Sequence, residues 1–321
     1  MSRELTRRDF VAESVLASAG TLVGAGLLRA EDAAPPPTGK PPAPQAATWT
    51  GKIGNLELSR LMLGGNLITA CAHSRDLRYV SQLMNHYNTK EKIIETLALA
   101  EKHGINSINT HIDDASNGIV KQYRQQRGGK MKWIVAVYAS PMSANPFEGI
   151  DRAAQEGADA LYIWGVAADG LVKQKNMDLI KRTLAHMRRT GLPIGIAAHT
   201  PAVIVESEKA KLDVDFYQKT LHTRDYPTAQ KPNEQGDFGS YDNSWCRNAD
   251  EVIALMKTVK KPWIAFKVMA AGAITPSEAF PYSFNNGADF VLAGMFDFQI
   301  EEDVQIAKEA LAKAKRDRPW S

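Results

Sequence analysis

The residues best suited to chemistry in this sequence are lysines, histidines and an aspartate that lie at the ends of short apolar segments. Lys219 and Lys267 lie in two such segments, His199 and Asp113 directly follow two others, and His222 lies two residues after the segment that holds Lys219. A buried lysine is costly unless it is paired or neutral, so these two lysines indicate function. A lysine can form a Schiff base with a carbonyl substrate, and the other three can move protons. We therefore predict these five residues to be catalytic.

This chemistry requires the segments to meet, and their spacing predicts how they do. After Trp49, eight apolar segments alternate with helical patterns, which predicts βαβ units and a parallel sheet. Eight units in about 250 residues favour closure over the alternative of a doubly wound sheet. The predicted fold class is therefore α/β, a (β/α)8 TIM barrel. Its strands are expected at 60–65, 107–112, 133–139, 160–164, 193–198, 214–220, 263–268 and 290–294.

A short segment before the first strand predicts a hairpin. Trp49–Ser59 carries Gly51 and the pair Gly54-Asn55, which is typical of a tight turn. We expect this N-terminal hairpin to cover the floor of the barrel.

The strands of a closed barrel end at one rim, where barrel enzymes have their active sites. Alternation along each strand predicts that Asn109, His111 and Asp113 face the axis. It also predicts that Lys219 and Lys267 face the axis, with Ile264 and Phe266 facing outward. Three further residues near strand ends, Asn66, Tyr138 and Trp164, are expected to contact the substrate.

A metal is an alternative to a Schiff base at this rim. His111 and Asp297 could ligate Zn²⁺ or Mn²⁺, and Asp113, His199 and His222 are also suitable ligands. A divalent metal is therefore one expected cofactor.

Two long connections follow strands at the same rim. They span 66–88 and 223–249, and connections longer than ~12–15 residues are usually functional lids. The first contains His73, Arg75 and Asp76, and the second contains Tyr241 and Trp245. We expect both to cover the substrate.

The N-terminus predicts export. Thr6-Arg7-Arg8-Asp9-Phe10-Val11 resembles the twin-arginine motif, an apolar segment follows to Leu28, and Leu28-Arg29-Ala30 is typical of a cleavage site. We predict a signal peptide at 1–30, a proline-rich linker at 31–48 and a catalytic domain at 49–321. The expected location is the periplasm, reached through the twin-arginine export machinery, with no stable membrane span after cleavage.

Composition limits the partners. The 321 residues are 44% hydrophobic with a net charge of +3 and no basic stripe, which is globular and gives no case for nucleic acid. The expected partner is a small-molecule substrate. Cys71 and Cys246 could pair, although their spacing does not decide this.

The first third of the mature domain resembles an aldo/keto reductase. The resemblance rests on Leu56–Asn66 and on Lys90–Asn109, which ends in a GIN-x-x-N segment. It implies a barrel with a floor hairpin and NADP as cofactor. That family uses a tetrad of Asp, Tyr, Lys and His. The strand-two Asp would fall near Asn109, the Lys near Tyr138 and the His near Trp164, while no Tyr occurs in 113–118.

The last third resembles other barrels. Lys267–Ile274 and Asn286–Gly294 are similar to the ends of strands seven and eight in phosphate-binding barrels. This implies that backbone N–H groups near Gly272 and Gly294 bind an anion. Asp215–Thr220 with Lys267 is similar to class I aldolases of the deoxyribose-phosphate type, which implies a Schiff-base lysine at Lys219.

Together these patterns predict an exported barrel enzyme that acts on a small sugar-like or carbonyl substrate by lyase, isomerase or hydrolase chemistry. The alternatives are an NADP-dependent oxidoreductase and a periplasmic small-molecule binding protein.

Overall fold

The computed structural model describes residues 48–74, 77–140, 144–231 and 243–321. The predicted signal peptide, almost all of the linker, and Arg75, Asp76 and Tyr241 lie outside these residues. None of the helices within the described ranges is both long and apolar enough to cross a bilayer.

Eight parallel strands close into a barrel, which confirms the predicted fold class. Neighbouring strands along the chain pair in order, and the last pairs back onto the first. The strands are β3 (Leu61–Gly64), β4 (Ser107–His111), β5 (Lys132–Val137), β6 (Ala160–Ile163), β7 (Ile194–Ala198), β8 (Phe216–Thr220), β9 (Trp263–Phe266) and β10 (Phe290–Ala293).

The N-terminal hairpin is also confirmed. β1 (Thr50–Ile53) and β2 (Leu56–Ser59) pair antiparallel, and Gly54 supplies the left-handed turn between them with φ 57°. Ile53 and Leu58 are fully buried and pack with the side chains along the barrel axis. The hairpin therefore closes the floor.

Helices separate the strands and cover the barrel. Their bounds are α1 (Asn66–Thr69), α2 (Tyr79–Tyr87), α3 (Lys90–Lys102), α4 (Asp114–Arg127), α5 (Glu148–Gln155), α6 (Gly165–Lys173), α7 (Met177–Arg188), α8 (Pro201–Lys209), α9 (Ala249–Thr258), α10 (Pro276–Asn285) and α11 (Asp297–Lys313).

A polar contact crosses the barrel axis between β4 and β8. Asn109 donates to Gln218 Oε1 at 2.9 Å and accepts from Tyr162 Oη at 2.6 Å. Asn109 therefore faces the axis as predicted. Gln218 and Phe216 share that face, so the alternation places Tyr217 and Lys219 on the outer side of β8.

The predicted facing of β8 and β9 was thus wrong. Lys219 was expected on the axis because the face of β8 that carries it is the more polar of the two. The amides of Asn109 and Gln218 satisfy each other on the axis instead, while Lys219 reaches backbone carbonyls outside. In β9, Ile264 packs along the axis, and Phe266 two residues later contacts His199 at 5.3 Å between ring centroids.

Acidic side chains at the floor join the start of each strand to its neighbour. Asp159, just before β6, accepts from the N–H of Trp133 in β5 at 2.8 Å. Asp215, before β8, accepts from the N–H of Ile194 in β7 at 2.7 Å. Each carboxylate thereby satisfies a backbone donor that the sheet leaves unpaired.

The same arrangement recurs at the other two strand pairs. Asp289, before β10, accepts from the N–H of Trp263 in β9 at 2.9 Å. Asn106, before β4, accepts from the N–H of Ser59, close to the start of β3, at 2.8 Å. The four contacts divide the barrel into four pairs of strands, each with its register fixed at the floor.

The chain's C-terminal segment completes the floor at Asp289. Arg316 and Arg318 form ion pairs with this fully buried carboxylate, the first at 3.1 Å. The Arg60 guanidinium lies 4.4 Å from the Trp320 ring centroid and donates to the Asp289 carbonyl. Removing one partner of such a buried set leaves charges without compensation.

We therefore expect Asp289→Asn to lower the free energy of unfolding by about 3–5 kcal/mol, because two buried guanidinium groups lose their counter-charge. Chemical denaturation at pH 7 measures this. The control is Asp213→Asn, whose carboxylate pairs with Arg188 but is 79% exposed, and which should cost less than about 1 kcal/mol. Equal small losses in both variants would contradict the account of the floor.

Candidate active site

A buried histidine–aspartate pair lies at the end of β7. His199 Nδ1 is 2.9 Å from Asp169 Oδ2, and each residue is only 6% exposed. The same carboxylate accepts the N–H groups of His199 and Thr200 and the Thr200 hydroxyl, at 2.6–3.0 Å. Asp169 therefore fixes both the backbone and the ring of His199.

The local sequence explains why Asp169 comes close to His199. Pro201 begins α8 immediately after the strand, and Asp169 projects from α6, which follows the adjacent strand β6. A Cβ at Gly165 would come 3.1 Å from His199 Cε1. Glycine at the start of α6 therefore leaves the space that the imidazole occupies.

Burial and charge keep the imidazole neutral. Burial lowers the pKa of His199, Asp169 opposes this, and the positive charges of Lys267 and Lys219 lower the pKa further. In the neutral ring, donation from Nδ1 to Asp169 makes Nε2 the basic nitrogen. This is the arrangement of a general base held in one tautomer.

Lys267 supplies a cation at the mouth of the barrel, which is the rim formed by the carboxyl ends of the strands. Its Nζ is 2.9 Å from His73 Nε2 and 3.8 Å from the Trp245 ring centroid. Its backbone adopts φ 58° directly after β9, which ends the alternation of the strand. Its charge lowers the pKa of His111, His199 and His222. Lys267 therefore lies close to all three predicted rim histidines.

His222 is held by backbone groups on both ring nitrogens. Nδ1 donates to the Thr223 carbonyl at 2.7 Å, and Nε2 accepts the N–H groups of Trp245 and Cys246 at 3.0 and 2.9 Å. Burial lowers its pKa to about 4. The ring thus anchors the backbone of Trp245 and Cys246 beside β8.

An aromatic wall lines another part of the mouth. The His111 ring meets Trp164 edge-on at 5.2 Å between centroids, and Tyr138 lies 6.0 Å from Trp164. Burial lowers the pKa of His111, although the charge of Asp113 opposes this. Asp113 itself caps α4 by accepting from the N–H and hydroxyl of Ser116. Aromatic rings thus lie beside polar groups at this part of the rim.

The predicted metal ligands have other partners. Asp297, at the start of α11, accepts from Tyr87 Oη at 2.7 Å and from Lys92 Nζ at 3.2 Å. Among the residues that the structure describes, no three His, Cys, Asp or Glu side chains are grouped to hold a metal.

The remaining predicted residues lie around the rim. Asn66 begins α1 and donates to the Cys71 carbonyl at 3.0 Å. Gly294 follows β10, and Gly272 adopts φ 84° after β9. A Cβ on either glycine would meet no atom within 4 Å, so packing does not require glycine there. Cys71 and Cys246 form no disulfide.

Two residues of the site were not among the predicted site residues. Asp169 was missed, although it is an isolated acid in the otherwise apolar start of α6, Gly-Val-Ala-Ala-Asp. His73 was noted only as a lid residue. An acid in an apolar helix that follows a barrel strand is the signal that could have identified Asp169.

A cavity of about 190 Å³ adjoins the pair. It is lined by His199, Thr200, Lys219, Asn248 and Glu251 among others, at the ends of β7 and β8. A larger groove of about 470 Å³ lies between His103 and Lys308 on the outer surface and contains none of the mouth residues. The candidate catalytic residues therefore lie at the strand ends and not in the larger groove.

Solved structures with similar folds include aldo-keto reductases. A Pseudomonas aeruginosa protein assigned to them is 19% identical, with a TM-score of 0.52, covering 82% of this chain and 95% of its own. The holo enzyme of Bacillus halodurans is 13% identical (TM-score 0.50, 85% and 98% covered). A Brucella melitensis aldo/keto reductase is 12% identical (0.51, 84% and 99%). This chain therefore shares the barrel fold of these three proteins.

The likeness is one of fold. No protein-family model matches the sequence, and no curated protein matches it either. The residues at the family's tetrad positions do not fit its reduction chemistry. Asn109 is buried in hydrogen bonds to Gln218 and Tyr162, and Tyr138 and Trp164 form the aromatic wall. These side chains do not provide the acid and the lysine that the resemblance implies.

We expect His222 to make stability depend on pH. Its pKa is about 4 in the folded state against 6.5 as the ordinary value, so the unfolded chain binds the extra proton first. This contribution is complete above pH 6.5 and is lost as pH falls towards 4, with a magnitude of about 3 kcal/mol. The free energy of unfolding is measured by denaturation at several pH values. His222→Gln should be less stable than wild type above pH 6.5, and this difference in stability should become smaller as pH falls.

The control for this prediction is His86→Gln, which changes an exposed histidine on α2. Its difference from wild type should stay constant from pH 7.5 to 4.5. A constant difference for His222→Gln as well would contradict the role given to its buried ring.

Proposed function

We propose that this protein is a non-redox enzyme that moves a proton on a small sugar-like substrate next to its carbonyl group. The observation that carries the proposal is the buried pair of His199 and Asp169 at the end of β7. A binding protein has no need of an imidazole held in one tautomer by a buried carboxylate. The pair therefore favours an enzyme over a binding module.

The proposed step is an enolisation. His199 Nε2 takes the proton from the carbon beside the carbonyl, and the electron pair of that C–H bond moves to the carbonyl oxygen. The resulting oxyanion is stabilised by a cation, and Lys267 is the ammonium at this mouth. In an isomerase the oxyanion takes the proton of the neighbouring hydroxyl group, whose oxygen becomes the new carbonyl, and the His199 imidazolium returns its proton to the former carbonyl carbon. In a lyase the carbonyl re-forms, a group leaves the β carbon with its bonding electron pair, and the imidazolium protonates that group. Atoms and charge balance without a redox cofactor.

The surroundings support this chemistry in two ways. His199 is nearly buried, so water competes little for its proton and electrostatic effects are strong. Trp164 and Tyr138 offer ring faces to a hydrophobic sugar face, and Tyr138 is 48% exposed. Asp169 acts through His199 and is a positioning residue.

We also propose export to the periplasm by the twin-arginine route. The support is the Arg7-Arg8 motif with its apolar segment and cleavage-type site. Cell fractionation of wild type and of an Arg7→Lys, Arg8→Lys double variant tests this. Periplasmic mature protein is expected for wild type alone, and equal periplasmic amounts for both would contradict it.

We expect His199→Gln and Asp169→Asn each to reduce turnover by about 10²–10⁴-fold, since one removes the base and the other its tautomer control. Purified proteins are assayed for product formation with a panel of 2-hydroxy aldehydes and 2-keto sugars, without nicotinamide.

The matched control is Asp151→Asn, which breaks another histidine–aspartate pair, at 2.6 Å to His186 between α5 and α7. It should retain wild-type turnover. Undiminished turnover in folded His199→Gln, or turnover that requires NADPH, would overturn the proposed function.

A further inference from the structure

Lys219 has an unusual setting for an ammonium group. Its side chain is fully buried on the outer side of β8. Its Nζ donates to the His199 carbonyl at 2.8 Å, to Thr220 Oγ1 at 2.7 Å and to the Thr220 carbonyl at 3.1 Å. Three acceptors match the three donors of the charged form. Burial lowers the pKa of Lys219, but three acceptors within hydrogen-bond distance oppose this effect and favour an ammonium that holds structure over a neutral amine poised as a nucleophile.

The acceptors belong to strand ends that the site depends on. The His199 carbonyl lies at the end of β7, and both Thr220 acceptors lie at the end of β8. Thr220 Oγ1 is also 3.2 Å from the His199 carbonyl and 3.2 Å from the Trp245 carbonyl. One cation thus joins two strands and, through a hydroxyl, the segment that carries Trp245.

We propose that Lys219 is a positioning residue, whose ammonium ties the ends of β7 and β8 to the Trp245 segment and so fixes His199 for proton transfer. This inference rests on the proposed role of His199. Trp245 in turn contacts Lys267 and His73, so the same tie reaches the cation of the mouth.

The same geometry determines the electrostatic effect of Lys219 on His199. No carboxylate of the described residues forms an ion pair with Lys219, so its positive charge acts on its surroundings. Among the described residues, the charged groups that shift the pKa of the His199 ring include Asp169 from α6, Lys267 after β9 and Lys219 from β8. Lys219 opposes protonation of the ring, as Lys267 does, and Asp169 favours it. Removal of Lys219 should therefore raise the pKa of His199.

The test is an NMR titration of the His199 ring in full-length mature protein, which requires no substrate. Lys219→Met keeps the volume and removes the charge, and it should raise the pKa of His199. Lys219→Arg keeps the charge and should restore the wild-type value. Lys261→Met removes a different cation, paired with Glu208 at 2.9 Å, and should leave the His199 titration unchanged.

Activity provides the second readout. With a substrate found in the carbonyl panel, Lys219→Met should lower kcat by about tenfold with little change in KM, because positioning affects the transition state more than binding. If Lys219→Met does not fold, Thr220→Val removes the hydroxyl link, and it should speed hydrogen exchange of the Trp245 amide.

The inference is overturned if folded Lys219→Met titrates His199 as wild type does, or if Thr220→Val leaves that exchange rate unchanged. Failure of the proposed function is a separate result: it would show as unimpaired turnover in His199→Gln, whatever the titrations give.

Discussion

The structure depends on four side chains at the barrel floor, of which three accept a backbone N–H from the preceding strand and the fourth accepts the N–H of Ser59, just before β3. Asn106, Asp159, Asp215 and Asp289 stand one residue before β4, β6, β8 and β10. They fix the register of strand pairs, and register decides which side chains face the axis, because a shift of one residue exchanges the two faces. Everything at the mouth is placed by these contacts on the opposite side of the barrel.

The mouth uses burial to give similar side chains different tasks. His199 and His222 are both buried, and burial lowers the pKa of each, but His199 has a carboxylate on Nδ1 whereas both ring nitrogens of His222 form hydrogen bonds with backbone groups. Lys219 and Lys267 differ in the same manner. Lys219 is surrounded by carbonyl and hydroxyl oxygens outside the barrel, and Lys267 lies against the Trp245 ring at the mouth. Residues of the same type therefore have different surroundings here, and the proposed function assigns them different roles on that basis.

The sequence predicted the fold well because it depends on repetition. Eight apolar segments separated by helices required a parallel barrel, and Gly54-Asn55 indicated the floor hairpin. Alternation alone could not decide which face of β8 is directed to the axis. Either the face with Phe216 and Gln218 or the face with Tyr217 and Lys219 could lie there. Only the contact of Gln218 with Asn109, 109 residues earlier, decides between them. Local patterns do not contain such long-range pairing.

The site was predicted in part for the same reason. His199 and Lys267 follow strands, and the strand-end rule located them. Asp169 lies inside a helix, where it has no strand-end signal, and its importance arises from contacts with His199 and Thr200 thirty residues later. The aldo/keto reductase resemblance predicted the barrel architecture, while Asn109, Tyr138 and Trp164 differ from the Asp, Lys and His that it implies at those positions.

The most direct test of the central claim, proton transfer without a redox cofactor at the mouth, is hydrogen isotope exchange. The mature protein is incubated in D₂O with the 2-hydroxy aldehydes and 2-keto sugars, without nicotinamide, and deuterium at the carbon next to the carbonyl is measured by mass spectrometry. The account predicts enzyme-dependent incorporation of one deuterium into at least one compound. Absence of incorporation across the panel, together with oxidation or reduction of the same compounds when nicotinamide is added, would contradict it.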